Sequence, residues 1–283
     1  MLSFENAPPF AAPLRFFITA PLFALAAGLL LLADGPDLLV SRWTPGLLAA
    51  THLITIGFML MVMLGALIQI MPVVAGVDLH NPLRVARWTH AGLTFGALLL
   101  AGGFLLGQPP LLSAAALILG LTIAGFLIII GRELAKVPST SPTIRGLKLA
   151  LLGLAGAVGL GASLSLAIAH GWAIPLVILT DLHIGWALGA WAGVLLAAMA
   201  YVVVPMFQLT PGYPARPGWL FPGIMLGLML AWTLAAVLDA VLVIRIVQCL
   251  VVLLGMAFMI QTLRLQMKRR RARADVTYRY WQL

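Results

Sequence analysis

The sequence predicts an all-α integral membrane protein whose eight transmembrane helices form two parallel four-helix repeats, with both termini on the cytoplasmic side. Three observations predict it. Apolar residues make up 63% of the 283 and charged residues only 9%, with a mean hydropathy of +1.10, whereas a water-soluble globule is nearer one half apolar. Apolar runs long enough to cross roughly 30 Å of hydrocarbon recur along the whole chain. Two of those runs, LLAATHLITIGFMLMVMLGALIQIMPVVAG from Leu47 and LVILTDLHIGWALGAWAGVLLAAMAYVVVPMF from Leu176, share one plan. Each has an imidazole near its start, glycines in its middle and, about twenty residues on, a proline at Pro72 or Pro205.

The runs fall at 14–33, 47–75, 88–106, 111–131, 146–170, 176–206, 218–238 and 241–263. The breaks between them carry turn chemistry, such as DGPD from Asp34, GQPP from Gly107, PSTSP from Pro138 and TPGYPARPG from Thr210. Short connections make consecutive helices antiparallel neighbours. The start of the chain lacks a positive segment followed by a small-residue cleavage site, so Leu14 onward reads as a retained first span. Pairing the second run with the sixth divides the chain into a first repeat over 1–137, a second over 138–263 and a basic tail over 264–283. Four helices per repeat is an even number, so both repeats enter from the same side.

Charge sets the orientation. Of 17 Lys and Arg, only Arg42 and Arg245 fall on the outer side when the N-terminus is inside, and cytoplasmic loops are the ones enriched in these residues. The net +9 is therefore a topology signal and not a nucleic-acid footprint. The tail, with Lys268, Arg269, Arg270, Arg271 and Arg273, is expected to meet anionic membrane lipid, with Tyr278, Tyr280 and Trp281 as interfacial anchors. A single cysteine, Cys249, excludes an internal disulfide and any multi-cysteine metal site. No carboxylate lies deep in a span, which argues against a proton pump or proton-coupled transporter.

Three of the five histidines share the outer leaflet: His52 and His183 early in two descending helices, and His170 at the top of a rising one. His80 and His90 belong to the cytoplasmic side. A neutral imidazole in a bilayer needs a partner, and as a lone residue it is as often a packing group as a ligand. A pair at matched depth on equivalent helices points instead to axial ligation of a b-type haem, a flat apolar cofactor that fills a bundle interior. On the helical period, the face of His183 continues through Ala187, Ala190, Val194, Ala197, Ala198 and Tyr201. Small residues there leave room for a planar ligand, or they serve close helix packing, as the Gly185, Gly189 and Gly193 ribbon does. The His52 face runs through Ile56, Met59, Met63 and Ala66. Histidine with methionine thioethers would suit copper(I) as an alternative, although methionines at this spacing are commonly core filler. Asp181, two residues before His183, is either an orienting acceptor for an imidazole or an interfacial acid near a helix start.

The segments THLITIGFMLMVMLGALIQIMPVVAG and DLHIGWALGAWAGVLLAAMAYVVVPMFQLTP resemble the second-helix pattern of haem-copper oxidase subunit I, and more closely that of its shorter relatives such as the NnrS family. The resemblance covers roughly sixty residues. It implies that His52 ligates a haem iron and, through the internal copy, that His183 does too. It departs in having fewer helices, no adjacent His-His pair for a copper centre and no proton-channel acids, which sets oxygen reduction aside. Haem A synthase is similar in its paired four-helix halves, but its Glu-x-x-x-His element is missing, since Leu48 and Leu179 stand four residues before the two histidines.

The reading taken from the sequence is a haem b protein of the bacterial inner membrane, held by His52 and His183 with His170 as an alternative ligand. It would serve electron transfer or nitric oxide binding, with a respiratory or periplasmic redox partner. The competing class is a copper-handling membrane protein or a cofactor-free assembly partner of a respiratory complex.

Overall fold

The structure is a computed structural model that describes residues 7–270 and Val276. Arg271, Arg273, Tyr278, Tyr280 and Trp281, expected above to meet the lipid surface, lie outside the described residues. Among the described residues every element is helical. Eight helices among the described residues are long and apolar enough to cross a membrane, as a multi-pass membrane protein requires. They are α1 (Ala11–Asp34), α2 (Pro45–Ala75), α3 (Pro82–Leu106), α4 (Pro109–Lys136), α5 (Pro142–His170), α6 (Leu176–Gln208), α7 (Ala215–Val237) and α8 (Val241–Met267).

Hydropathy places all eight but starts several too late. α2, α3, α4 and α5 each begin on a proline, at Pro45, Pro82, Pro109 and Pro142. A first helical position has no use for an N–H, and the ring's fixed φ is already helical. The chain leaves α1 through Gly35, whose φ of 56° suits a residue without a Cβ, and makes a short 3-10 turn over Gly35–Leu39.

The chain forms two compact units, Met1–Val137 with Val158–Thr180, and Pro138–Ala157 with Asp181–Leu283. In the first, α1 lies on α2 with Phe23 against Gly57 and Phe16 against Gly65. Helix α3 packs along α4, Thr122 filling the space above Gly92 and Leu119 that above Gly96. Side-chain bonds that tie this unit across helices include Thr19 Oγ1 with His90 Nε2 at 2.8 Å, Ser113 Oγ with His170 Nε2 at 3.2 Å, and Ser165 Oγ donating to the Leu112 carbonyl at 3.0 Å.

In the second unit the glycines of α5 form the closest contacts. A Cβ on Gly153 would collide with the main chain of Ala190, and one on Gly156 with the Trp186 ring. Gly185 and Gly189 of α6 face Trp232, Met229 and Met225 of α7. Apolar burial adds little where lipid is as apolar as a side chain, so close van der Waals approach over small residues is what holds such helices together. Trp186 adds a bond, its Nε1–H donating to Thr233 Oγ1 at 3.0 Å. Helix α8 sits at the rim of its unit, with only 6% of its most apolar stretch buried. It is fastened mainly at one end, where Phe258 stacks on Tyr213 at 6.0 Å and Thr262 shares a 2.9 Å hydrogen bond with the Tyr213 hydroxyl.

Candidate functional site

The helices that carry His52 and His183 are not regular. Helix α2 is α-helical over Pro45–His52, widens to a π-helix over Leu53–Leu60 and returns to α over Met61–Ala75. Helix α6 repeats the order: α over Leu176–Ile184, π over Gly185–Gly193, α over Val194–Gln208. The wide turns are seen in their closing bonds, where the Met61 N–H reaches Ile56 O and the Val194 N–H reaches Gly189 O, each five residues back. Each helix then passes its proline and ends four residues later in a left-handed residue, Gly76 at φ 66° and Leu209 at φ 52°. Each histidine thus stands at the junction where the narrow turn gives way to the wide one. A π segment inside a transmembrane helix costs hydrogen-bond geometry and is most often found where function needs a displaced register.

Both imidazoles make the same bond. His52 Nδ1 is 2.7 Å from the carbonyl oxygen of Leu48, one turn back on its own helix. His183 Nδ1 is 2.9 Å from the carbonyl oxygen of Ala157 on α5. A carbonyl only accepts, so in each neutral ring Nδ1 carries the proton and the lone pair is on Nε2. Histidine ligands to metals have this arrangement, one nitrogen donating to a fixed acceptor so that the other meets the metal in a set orientation. Both rings are half-buried. The His52 ring lies 5.4 Å from that of Phe104, tilted by 30°.

The remaining expected site residues lie on α2, α5 and α6. His170 is exposed at the end of α5, its Nε2 3.2 Å from Ser113 Oγ and its ring stacked on Trp172 at 5.8 Å. Met59 lies within the π run and Met63 beyond it, so the regular spacing that aligned them with His52 does not hold. Ala190 and Ala198 are fully buried against Gly153 and Gly146 of α5, so this part of the His183 face is used for helix packing. Tyr201 joins an aromatic group at the far end of α6, 5.1 Å from Tyr213 and 6.3 Å from Phe258. Ala187 and Asp181 are half-buried near His183 in the chain. His80 is exposed, with Asp78 4.0 Å from its Nδ1. Among the described residues no three His, Cys, Asp or Glu side chains gather as a metal-holding group; axial ligation of a haem needs only two histidines.

Sequence reasoning missed the Ala157 carbonyl and both π runs. The first carries no side-chain signal, and the second breaks the single period that a helical reading assumes. The one available hint is composition: glycine occurs in both wide segments, once at Gly57 and three times at Gly185, Gly189 and Gly193. No protein-family model matches the chain, and no curated protein or solved structure matches it either.

Proposed function

We propose that this is a membrane-embedded b-type haem protein whose axial ligands are the Nε2 atoms of His52 and His183. The observation that carries the reading is the matched bonding of the two rings, each donating from Nδ1 to a main-chain oxygen. The donor set fits the group, because neutral imidazoles with Nε2 lone pairs are ordinary haem ligands. The shared α–π–α–proline order of α2 and α6 supports a duplicated ancestry, hence two parallel four-helix repeats. The distribution of Lys and Arg supports both termini inside, and the membrane we assign is a bacterial inner one.

A bound haem would supply one-electron redox chemistry, or a place for nitric oxide or a similar diatomic if one axial position opens. The protein's own part is to orient the two rings through Leu48 and Ala157 and to surround them with apolar side chains. A respiratory or periplasmic redox protein is the natural partner class for such a centre. Pigment extraction tests the proposal: about one haem b per chain supports it, and a colourless protein that carries copper would replace it with the copper-handling reading. Carbon monoxide added to the reduced protein separates the two roles, since an unchanged spectrum assigns electron transfer and a shifted one assigns diatomic binding.

A further inference from the structure

The ends of α6 and α8 meet at a seam in the second unit. The Leu209 carbonyl, just past α6, accepts the Arg270 N–H at 3.1 Å, which joins residue 209 to the end of α8. About two turns before, the Tyr213 hydroxyl and Thr262 Oγ1 lie 2.9 Å apart. Gln208 adjoins the first of these links and Gln266 stands between the two along α8. Their side chains are 0% and 8% exposed. Neither the nitrogen nor the oxygen of either amide has a hydrogen-bond partner.

Two buried amides with all their capacity unspent are costly, and native proteins fill such places with a ligand or ordered water. Arg264, Lys268, Arg269 and Arg270 cluster at the same end of α8. That concentration of positive charge disfavours a cation and favours an anion. The seam also lies at the ends of two membrane-crossing helices, where lipid headgroups are found.

We propose that the seam binds the phosphate of an anionic phospholipid with a glycerol-type headgroup. The phosphate accepts from the amide nitrogens of Gln208 and Gln266 and from the Arg269 guanidinium, while the headgroup hydroxyls donate to the two amide oxygens. This occupant satisfies donors and acceptors together. Basic pockets between helices at a membrane surface are a common setting for such recognition.

The test is native mass spectrometry of the full-length protein in neutral detergent with equal amounts of phosphatidylglycerol and phosphatidylcholine, with and without millimolar inorganic phosphate. The expected result is one retained phosphatidylglycerol, and roughly tenfold weaker retention in the Gln208→Leu, Gln266→Leu double variant, which keeps every positive charge. Unchanged retention in that variant would mean that basic residues alone attract the lipid, and would overturn the site. Equal retention of the two lipids by the wild type would overturn it without any variant. Inorganic phosphate that binds the delipidated protein and then excludes phosphatidylglycerol would overturn the lipid as its source.

Discussion

His183 donates its Nδ1 proton to the main-chain oxygen of Ala157 across 2.9 Å, from one helix to another, whereas His52 makes the corresponding bond to Leu48 within its own helix. The acceptor differs but the outcome for the ring is the same: a fixed tautomer and a fixed plane. No side-chain substitution removes a carbonyl, so the orientation of both imidazoles rests on backbone geometry, and the wide turns that follow are part of that geometry.

Shortening the wide turn of α6 should therefore disturb the ligand before the fold. Deleting Leu188, which is exposed within Gly185–Gly193, returns the segment to ordinary α register and rotates His183 by about 100° relative to the helix beyond. The expected outcome is a protein that inserts and migrates as wild type in size-exclusion chromatography but has lost its haem. Unchanged haem content would detach the π turn from ligand placement.

Gly153 and Gly159 make a matched pair on α5. Gly153→Ala places a Cβ on the main chain of Ala190, which cannot give way, and should destabilise the fold by about 1–3 kcal/mol. Gly159→Ala meets nothing within 4 Å and should be neutral or stabilising by up to about 1 kcal/mol through helix propensity. Thermal denaturation in detergent separates the two, and equal effects would contradict the packing described for α5 and α6.

His90 of α3 bonds Thr19 at 2.8 Å and lies edge-on to Phe16 at 5.4 Å. His90→Ala should leave the optical spectrum intact and cost roughly 0.6 kcal/mol, the usual worth of a hydrogen bond between membrane helices. A double-mutant cycle with Thr19→Val measures that bond directly, and additive losses would deny it.

Tyr213, in the loop between α6 and α7, is raised above the ordinary phenol value by burial, more than its bond to Thr262 lowers it. The folded value lies above the unfolded one, so its contribution to stability is intact below about pH 10 and is lost as pH rises from there, because the unfolded chain releases its proton first. Unfolding midpoints measured from neutral to strongly alkaline pH should fall more steeply for the wild type than for Tyr213→Phe. Parallel curves would place Tyr213 in solvent.

The eight spans were legible because hydropathy alone locates them, and their proline starts were legible only to a reader who treats Pro82 or Pro142 as a beginning and not as a break. The histidine pair stood out because polar residues are scarce in such a chain. What surrounds each ring did not. The alignment of His52 with Met59 and Met63 presumed a regular helix, which the Leu53–Leu60 segment is not. At Ala190 and Ala198 the same small side chains were compatible with a ligand or with close helix contact, and only the position of Gly153 and Gly146 distinguishes the two. Gln208 and Gln266 are buried close to the ends of α6 and α8, and no pattern in the sequence marks them.

The most direct test of the haem assignment is the reduced-minus-oxidised visible spectrum of the purified wild type, His52→Ala and His183→Ala proteins. The account predicts a Soret band with a narrow α-band in the wild type and loss of the six-coordinate signature in each variant. A colourless wild type, or two variants with the wild-type spectrum, would contradict it.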